Sequence, residues 1–316
     1  MDFRILGPLE VEGDDGPIRV RGRKEEALLA LLVVNAGTAV SVDVIAEELW
    51  GDHPPPTAIK TLRSHVSRLR RQLGKAANIE TTVSGYVLNA DKAAIDASRF
   101  EDLLDSGIEH QRGGSHEMAA SDLASALDEW RGPALSGLED HNFARLEAAR
   151  LDTRRLEGLE ARLASDLELR RHRQLVAELE QLVSAHPHHE AFWKYLMMAL
   201  YRSDRQADAL GAFQDAKRSL GDELGIEPSE ELRELEEQIL LQDPALLASP
   251  EHEDRVHNLP TPLDSFVGRG DELDEIRLLL TDYRCVTLTG VGGSGKTRLG
   301  IEAARLVMDR HPDGTR

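Results

Sequence analysis

The chain has 316 residues, enough for two or three domains, and a net charge of −19 from 38 Lys and Arg against 57 Asp and Glu, which taken globally repels nucleic acid. Its single cysteine, Cys285, excludes an internal disulfide framework and fits a reducing compartment. The sequence has no run of 18 apolar residues, and the opening MDFRILGPLEV lacks the basic and apolar regions of a signal peptide, so a cytoplasmic protein with no membrane partner is expected.

Residues 1–95 begin with strand-like pieces, FRILGPLEVE and PIRVRG, around the turn-forming GDDG. Amphipathic patterns then predict helices over Glu25–Asn35 and Val42–Trp50, the second capped by Ser41. GDHPPPT breaks the chain before a long helix, Thr57–Leu73, that Gly74 ends. The hairpin-like IETTVSGYVLNA follows, with Ser84 and Gly85 placed at its tip. Together these make a small α+β unit.

The long helix carries the local exception to the acidic balance. From Thr57 to Lys75 there are six basic residues (Lys60, Arg63, Arg68, Arg70, Arg71 and Lys75) and no acidic one. Most of the excess acid lies beyond residue 100. Screening confines surface fields to about 10 Å, so a basic stripe on an acidic chain can still meet DNA. On a helical wheel Leu62, Val66, Leu69 and Leu73 form the core-facing stripe. The opposite face collects Thr57, Lys60, Ser64, Ser67, Arg68 and Arg71, with Thr61 at its edge; Arg63 and Arg70 project from a flank. Cationic and hydroxyl donors of this kind suit base edges in the major groove, and the flanking arginines suit phosphates. With two shorter helices before it and a hairpin after it, the arrangement describes a winged helix.

Residues 96–243 are helical by pattern, rich in Ala, Leu, Glu and Arg. Trp193, Leu196, Ala209, Phe213 and Ala216 fall at tetratricopeptide spacings, and Pro187 sits 34 residues before Gly221; Met197 and Leu200 depart from that pattern. PALLASPEHEDRVHNLPTP, residues 244–262, reads as a linker. In residues 263–316, GVGGSGKT matches G-x-x-x-x-G-K-[ST]. Gly290, Gly292, Gly293 and Gly295 would let backbone N–H groups turn toward phosphates, Lys296 would reach the β- and γ-phosphates, and Thr297 would hold Mg²⁺. Hydrolysis also needs a Walker-B carboxylate on a later strand, and Glu302, Asp309 and Asp313 do not end one. This C-terminal stub of an α/β P-loop domain therefore predicts a truncated form of a longer protein, in which ATP and Mg²⁺ would bind only if the domain were complete.

RKEEALLALLVVNAGTAVSVDVIAEELWGDHPPPTAIKTLRSHVSRLRRQLG followed by GYVL resembles the OmpR-type winged helix of the SARP regulators, the antibiotic regulatory proteins of actinomycetes. ALDEWRGPAL, HPHHEAFWKYLMMALYRSDRQADAL and LGDELGIEPSEELRELEEQIL resemble that family's bacterial transcriptional activation domain. FVGRGDELDEIRLLL is similar to the entry into the P-loop ATPase that larger members carry. The resemblance spans about residues 3–243. It implies a transcriptional activator that binds repeated promoter sites side by side and contacts RNA polymerase, with the helical domain assisting homodimerisation on DNA. One departure is that no phosphoacceptor receiver precedes the winged helix, so no site for control by aspartyl phosphorylation is expected.

The remaining signals are weak. His186, His188, His189 and Glu190 lack the i, i+4 histidine pair of a helical metal site, and no metal is expected. Glu129–Gly132 is expected to close a helix against the scaffold, and Trp50, Trp130 and Trp193 to be core residues. No nucleophile–base–orienter set can be assembled, so no enzyme is expected and DNA binding needs no cofactor. Two other readings stay open: a nucleotide-dependent signalling switch, and a helical scaffold whose winged helix binds protein.

Overall fold

A computed structural model describes residues 1–51, 54–74, 78–247, 272–273, 276, 278–280, 286–289 and 295–306. It forms two compact units, Met1–Leu232 and Arg233–Arg316.

The first unit opens with the antiparallel sheet β1 (Asp2–Arg4), β2 (Glu10–Gly13) and β3 (Gly16–Pro17). Phe3 stands opposite Val11, and both are buried. Next comes α1 (Arg23–Val34), in which every residue from Ala27 to Val33 is at most 2% exposed. A helix apolar on all sides needs neighbours on all sides. It has them in α2 (Val42–Trp50), α3 (Ala58–Leu73), strand β6 (Gly85–Asn89) and α6 (Asn142–Glu168).

Ser41 caps α2 as its sequence predicts, accepting from the Val44 N–H at 3.2 Å. Thr57 is the residue before α3, and Gly74 ends it with φ +70, a conformation that favours glycine. The expected apolar stripe is in place, with Leu62, Val66, Leu69 and Leu73 all at most 3% exposed. The second sheet has the order β4-β6-β5, where β4 is Val40–Ser41 and β5 is Asn78–Thr81.

Here the structure corrects one expectation. Gly85 is not at the hairpin tip but starts β6, buried opposite Ser41. A Cβ at Gly85 would lie 1.8 Å from the Val40 carbonyl oxygen, so close pairing of the two strands is what demands glycine. The turn is Thr82–Ser84, and its most exposed side chain is Val83.

Helices α4 (Asp96–Arg112), α5 (His116–Asp128), α6, α7 (His172–Ala185), α8 (Glu190–Tyr201) and α9 (Gln206–Leu224) then pack on one another in chain order. Trp193, Leu196, Met197, Leu200, Ala209, Phe213 and Ala216 are all buried in the α8–α9 layer. The Trp193 indole N–H donates to the Pro187 carbonyl at 2.8 Å. His188 and His189 face separate carboxylates, Glu223 at 2.8 Å and Glu160 at 2.7 Å.

The two halves of this unit share one apolar core, continuous from Phe3 to Ala161. Polar bonds close the junction. The buried Asp96 carboxylate accepts the Ile5 and Leu6 N–H groups at 2.8 and 2.9 Å, and the Ala97 N–H at 2.8 Å. The segment after α5 returns to the residues that follow β1: the Arg131 N–H donates to the Leu6 carbonyl and the Leu135 N–H to the Ile5 carbonyl, each at 2.8 Å. Farther on, the Phe143 N–H donates to the Glu48 carboxylate at 3.2 Å. Glu129–Gly132 thus forms part of a strap against the residues that follow β1.

Helix α10 (Glu230–Leu241) precedes a 3-10 turn at Pro244–Leu246; the rest of the expected linker, 248–262, lies outside the described residues. In the second unit, Ile276, Leu299 and Ala303 make a small apolar group around α11 (Lys296–Leu306). Val286–Thr289, the described part of the apolar run RCVTLT, forms no strand. A strand needs a partner for its ladder, and among the described residues this segment has none.

Two substitutions test these constraints in urea denaturation of the whole chain. Asp96→Ala removes the acceptor of three buried N–H groups, those of Ile5, Leu6 and Ala97, and is expected to lose about 2–5 kcal/mol. Gly85→Ala forces β4 and β6 apart and is expected to lose about 1–3 kcal/mol. A loss below about 0.5 kcal/mol for either, the range of ordinary surface substitutions, would show the site to be slack.

Candidate nucleic-acid interface

Helix α3 presents its polar face to solvent. Lys60, Ser64, Ser67 and Arg71 are all exposed and follow one another at intervals of four, three and four, so they share one stripe. Thr57 is exposed beside it, and Thr61 is half-buried at its edge. Among the described residues Lys60, Arg63 and Arg71 have no ion-pair partner, in a chain with 57 acidic residues. The Ser64 hydroxyl donates to the Lys60 carbonyl at 3.3 Å, a bond that still leaves its oxygen able to accept.

The two flanks of α3 are put to structural use. On one, the Arg70 guanidinium donates to the Ile79 carbonyl at 2.9 and 2.7 Å and to the Thr81 hydroxyl at 2.9 Å, and it lies 6.0 Å from the centre of the Tyr86 ring. Arg70, expected to reach phosphate, instead pins the hairpin to the helix. Arg63, on the same flank, is exposed. Ser84 is exposed in the turn of this wing.

On the other flank, Glu25 of α1 accepts from Arg68 Nη1 at 3.3 Å and lies 3.0 Å from His65 Nδ1. Its side chain is 6% exposed, while that of Arg68 is 58% exposed. Burial pushes the Glu25 carboxyl up; the His65 ring, its own backbone N–H and Arg68 outweigh burial and hold it below its ordinary range. The carboxylate folds back under Gly22, which has φ +104 and where a Cβ would lie 2.3 Å from Oε2. Only glycine fits there. Nearby, Lys24 donates to the Leu49 carbonyl and lies 5.3 Å from the centre of the Trp50 ring, tying α1 to α2.

Comparison with known proteins agrees with this geometry. Residues 19–88 match the family described as "Transcriptional regulatory protein, C terminal", and residues 95–240 match "Bacterial transcriptional activator domain". The chain is 37% identical over 256 residues to the regulatory protein DnrI of Streptomyces peucetius, covering 78% of this chain and 94% of DnrI. The chain belongs to the SARP family of transcriptional regulators. It is also 33% identical to the regulatory protein AfsR of Streptomyces coelicolor, matching along 99% of its own length but spanning only a third (33%) of AfsR. Among solved structures, Mycobacterium tuberculosis EmbR in complex with a low affinity phosphopeptide matches with a TM-score of 0.74 and 37% identity, over 77% of this chain and 65% of that one. The winged-helix-like and helical parts read from the sequence are therefore those of a SARP regulator.

In this SARP chain the phosphate-loop residues Gly290, Gly292 and Gly293 lie outside the described residues, as does Lys75. Gly295 has φ +78 and immediately precedes α11, which Lys296 and Thr297 begin. Among the described residues no helix is long and apolar enough to cross a membrane. The sequence reading missed Glu25 and His65, because their pairing joins α1 to α3 across 40 positions. It also passed over Arg19, Arg21 and Arg23, although their alternation in RVRGR was legible.

Glu25→Gln is expected to cost about 1.5–3 kcal/mol near pH 7, the range for a hydrogen bond to a charged group. Since the folded carboxyl is held below its ordinary range, its contribution is complete above about pH 4.5 and disappears as pH falls through the lowered value. The stability difference between wild type and variant, followed by denaturation from pH 7 to 3, should shrink toward zero at the acid end. A constant difference would reject the charged role.

Proposed function

We propose that this SARP chain is a sequence-specific DNA-binding activator, with residues 1–95 on promoter DNA and 96–243 contacting RNA polymerase holoenzyme. The observation that carries the reading is the acid-free stripe Lys60–Ser64–Ser67–Arg71 on a chain of net charge −19. From Lys60 to Arg71 the stripe runs about 16 Å along the helix, close to five base-pair steps of groove. Lys60 and Arg71 donate to guanine O6 and N7, Ser64 and Ser67 adapt to either base or phosphate, and Thr57 and Thr61 extend the donor set. Arg68, partly held by Glu25, reads from the edge of the same face. Arg63 meets a phosphate, and Ser84 and Gly85 bring the wing to the adjacent backbone, Gly85 by fixing its strand.

In this reading the protein acts in the cytoplasm as a homodimer on adjacent repeated sites, controlling antibiotic biosynthesis genes as the names and family of its relatives suggest. DNA binding requires no cofactor. Lys296, Thr297 and the loop glycines would hold ATP and Mg²⁺ only together with a Walker-B carboxylate from a complete domain. A nucleotide-driven switch and a protein-binding winged helix have no comparable observation in their favour.

The test begins with selection of binding sites from a randomised duplex pool, followed by anisotropy titrations of selected and random duplexes. Selection of no sequence would sink the proposal. Lys60→Ala and Arg71→Ala are each expected to weaken the selected site by about 1–3 kcal/mol, and to relax preference at one base position. Arg63→Ala should weaken all sequences alike, and Lys296→Ala should leave DNA affinity unchanged.

A further inference from the structure

The stretch RVRGRK, residues 19–24, lies outside the recognition helix but is fastened to it. Val20 is buried, while Arg19, Arg21 and Arg23 are exposed. Arg19 and Arg21, on either side of the inward Val20, both meet solvent. The Arg21 N–H donates to Gln72 Oε1 at 2.6 Å, and Gln72 Nε2 donates back to the Arg21 carbonyl at 3.3 Å. Neither bond uses the guanidinium. Among the described residues the three arginine side chains have no acidic partner. The nearest buried acid, Glu25, is turned inward to His65 and Arg68.

Arg70 and Gln72 leave α3 about 200° apart, at about 100° per residue. Arg70 holds the wing, Gln72 holds the Arg19–Arg23 segment, and the exposed Arg71 points out between them. The helix is therefore flanked on one side by a hairpin and on the other by a row of uncompensated cations. A major groove is walled by two phosphate strands about 12 Å apart, so a helix lying in it meets donors best when both of its sides carry them. We propose that Arg19, Arg21 and Arg23 are a second phosphate-binding edge, opposite the wing, that grips the far wall of the groove. Their ligand is the phosphodiester backbone of duplex DNA, bound without regard to sequence. The inference rests on α3 being the groove helix.

The experiment uses the whole chain and a random-sequence duplex, with affinity measured by anisotropy across a range of salt concentrations. The variants are Arg19→Ala, Arg21→Ala and Arg23→Ala, singly and together, and the triple replacement by Lys. Removing one arginine–phosphate ion pair should make the slope of log affinity against log salt shallower by about 0.9. The triple Ala variant is therefore expected to lose about 2–3 in slope and roughly ten- to a hundredfold in affinity at low salt. Its preference for a selected site over random DNA should be unchanged, and the triple Lys variant should keep the wild-type slope. A triple Ala variant with wild-type slope and affinity would overturn the proposal while leaving α3 as the reader. Should the triple variant melt early, the three single variants decide, because neither bond to Gln72 uses a guanidinium; an unchanged slope in all three is equally fatal. Failure of the underlying reading is a separate result: the wild-type chain would bind no duplex at any salt.

Discussion

Burial of α1 is the constraint on which the exposed basic surface of α3 depends. A helix with Ala27–Val33 sealed from solvent cannot lie at the edge of a domain, and its neighbours are held to fixed positions by the need to cover it. Helix α3 covers one side with Leu62, Val66, Leu69 and Leu73. That contact decides which face of α3 remains for a ligand, since the side opposite an apolar stripe must meet water. The cationic stripe is exposed because the leucines are not.

Apolar burial is non-directional, and polar bonds on both flanks add direction to the placement of α3. Glu25 receives His65 and Arg68 on one side, with Gln72 and Arg21 joined farther along it; Arg70 takes hold of the wing on the other. The fold thus draws Arg70 fully and Arg68 in part into its architecture and leaves Lys60, Arg63 and Arg71 without an acidic partner among the described residues. A charge run read from sequence is a pool from which the fold draws both kinds of role.

The helical layers are not hung from the winged helix on a free linker. One core runs from Phe3 to Ala161, and Asp96 with the strap 131–143 ties α4 and α6 to β1 and α2. A shared core of this kind places α4–α6 against α1 and β1. For the proposed activator, that means the surface offered to polymerase is placed by the same contacts that place the reading helix, and adjacent sites on DNA would present it at a regular spacing.

Local pattern determined much of this chain: the helix ends at Ser41 and Gly74, the two stripes of α3, the helical character of 96–243 and the family resemblance. Those features depend on neighbours a few residues apart, where period and capping chemistry are sufficient. The tertiary structure alone decided that Gly85 belongs to a strand against Val40, that Arg70 is a clamp, that Glu25 orients α3, and that residues 1–95 and 96–161 share a core. Each of these is a contact between segments distant in sequence. No periodicity encodes it, because which arginine finds a carbonyl and which finds solvent is settled only when the elements close on one another.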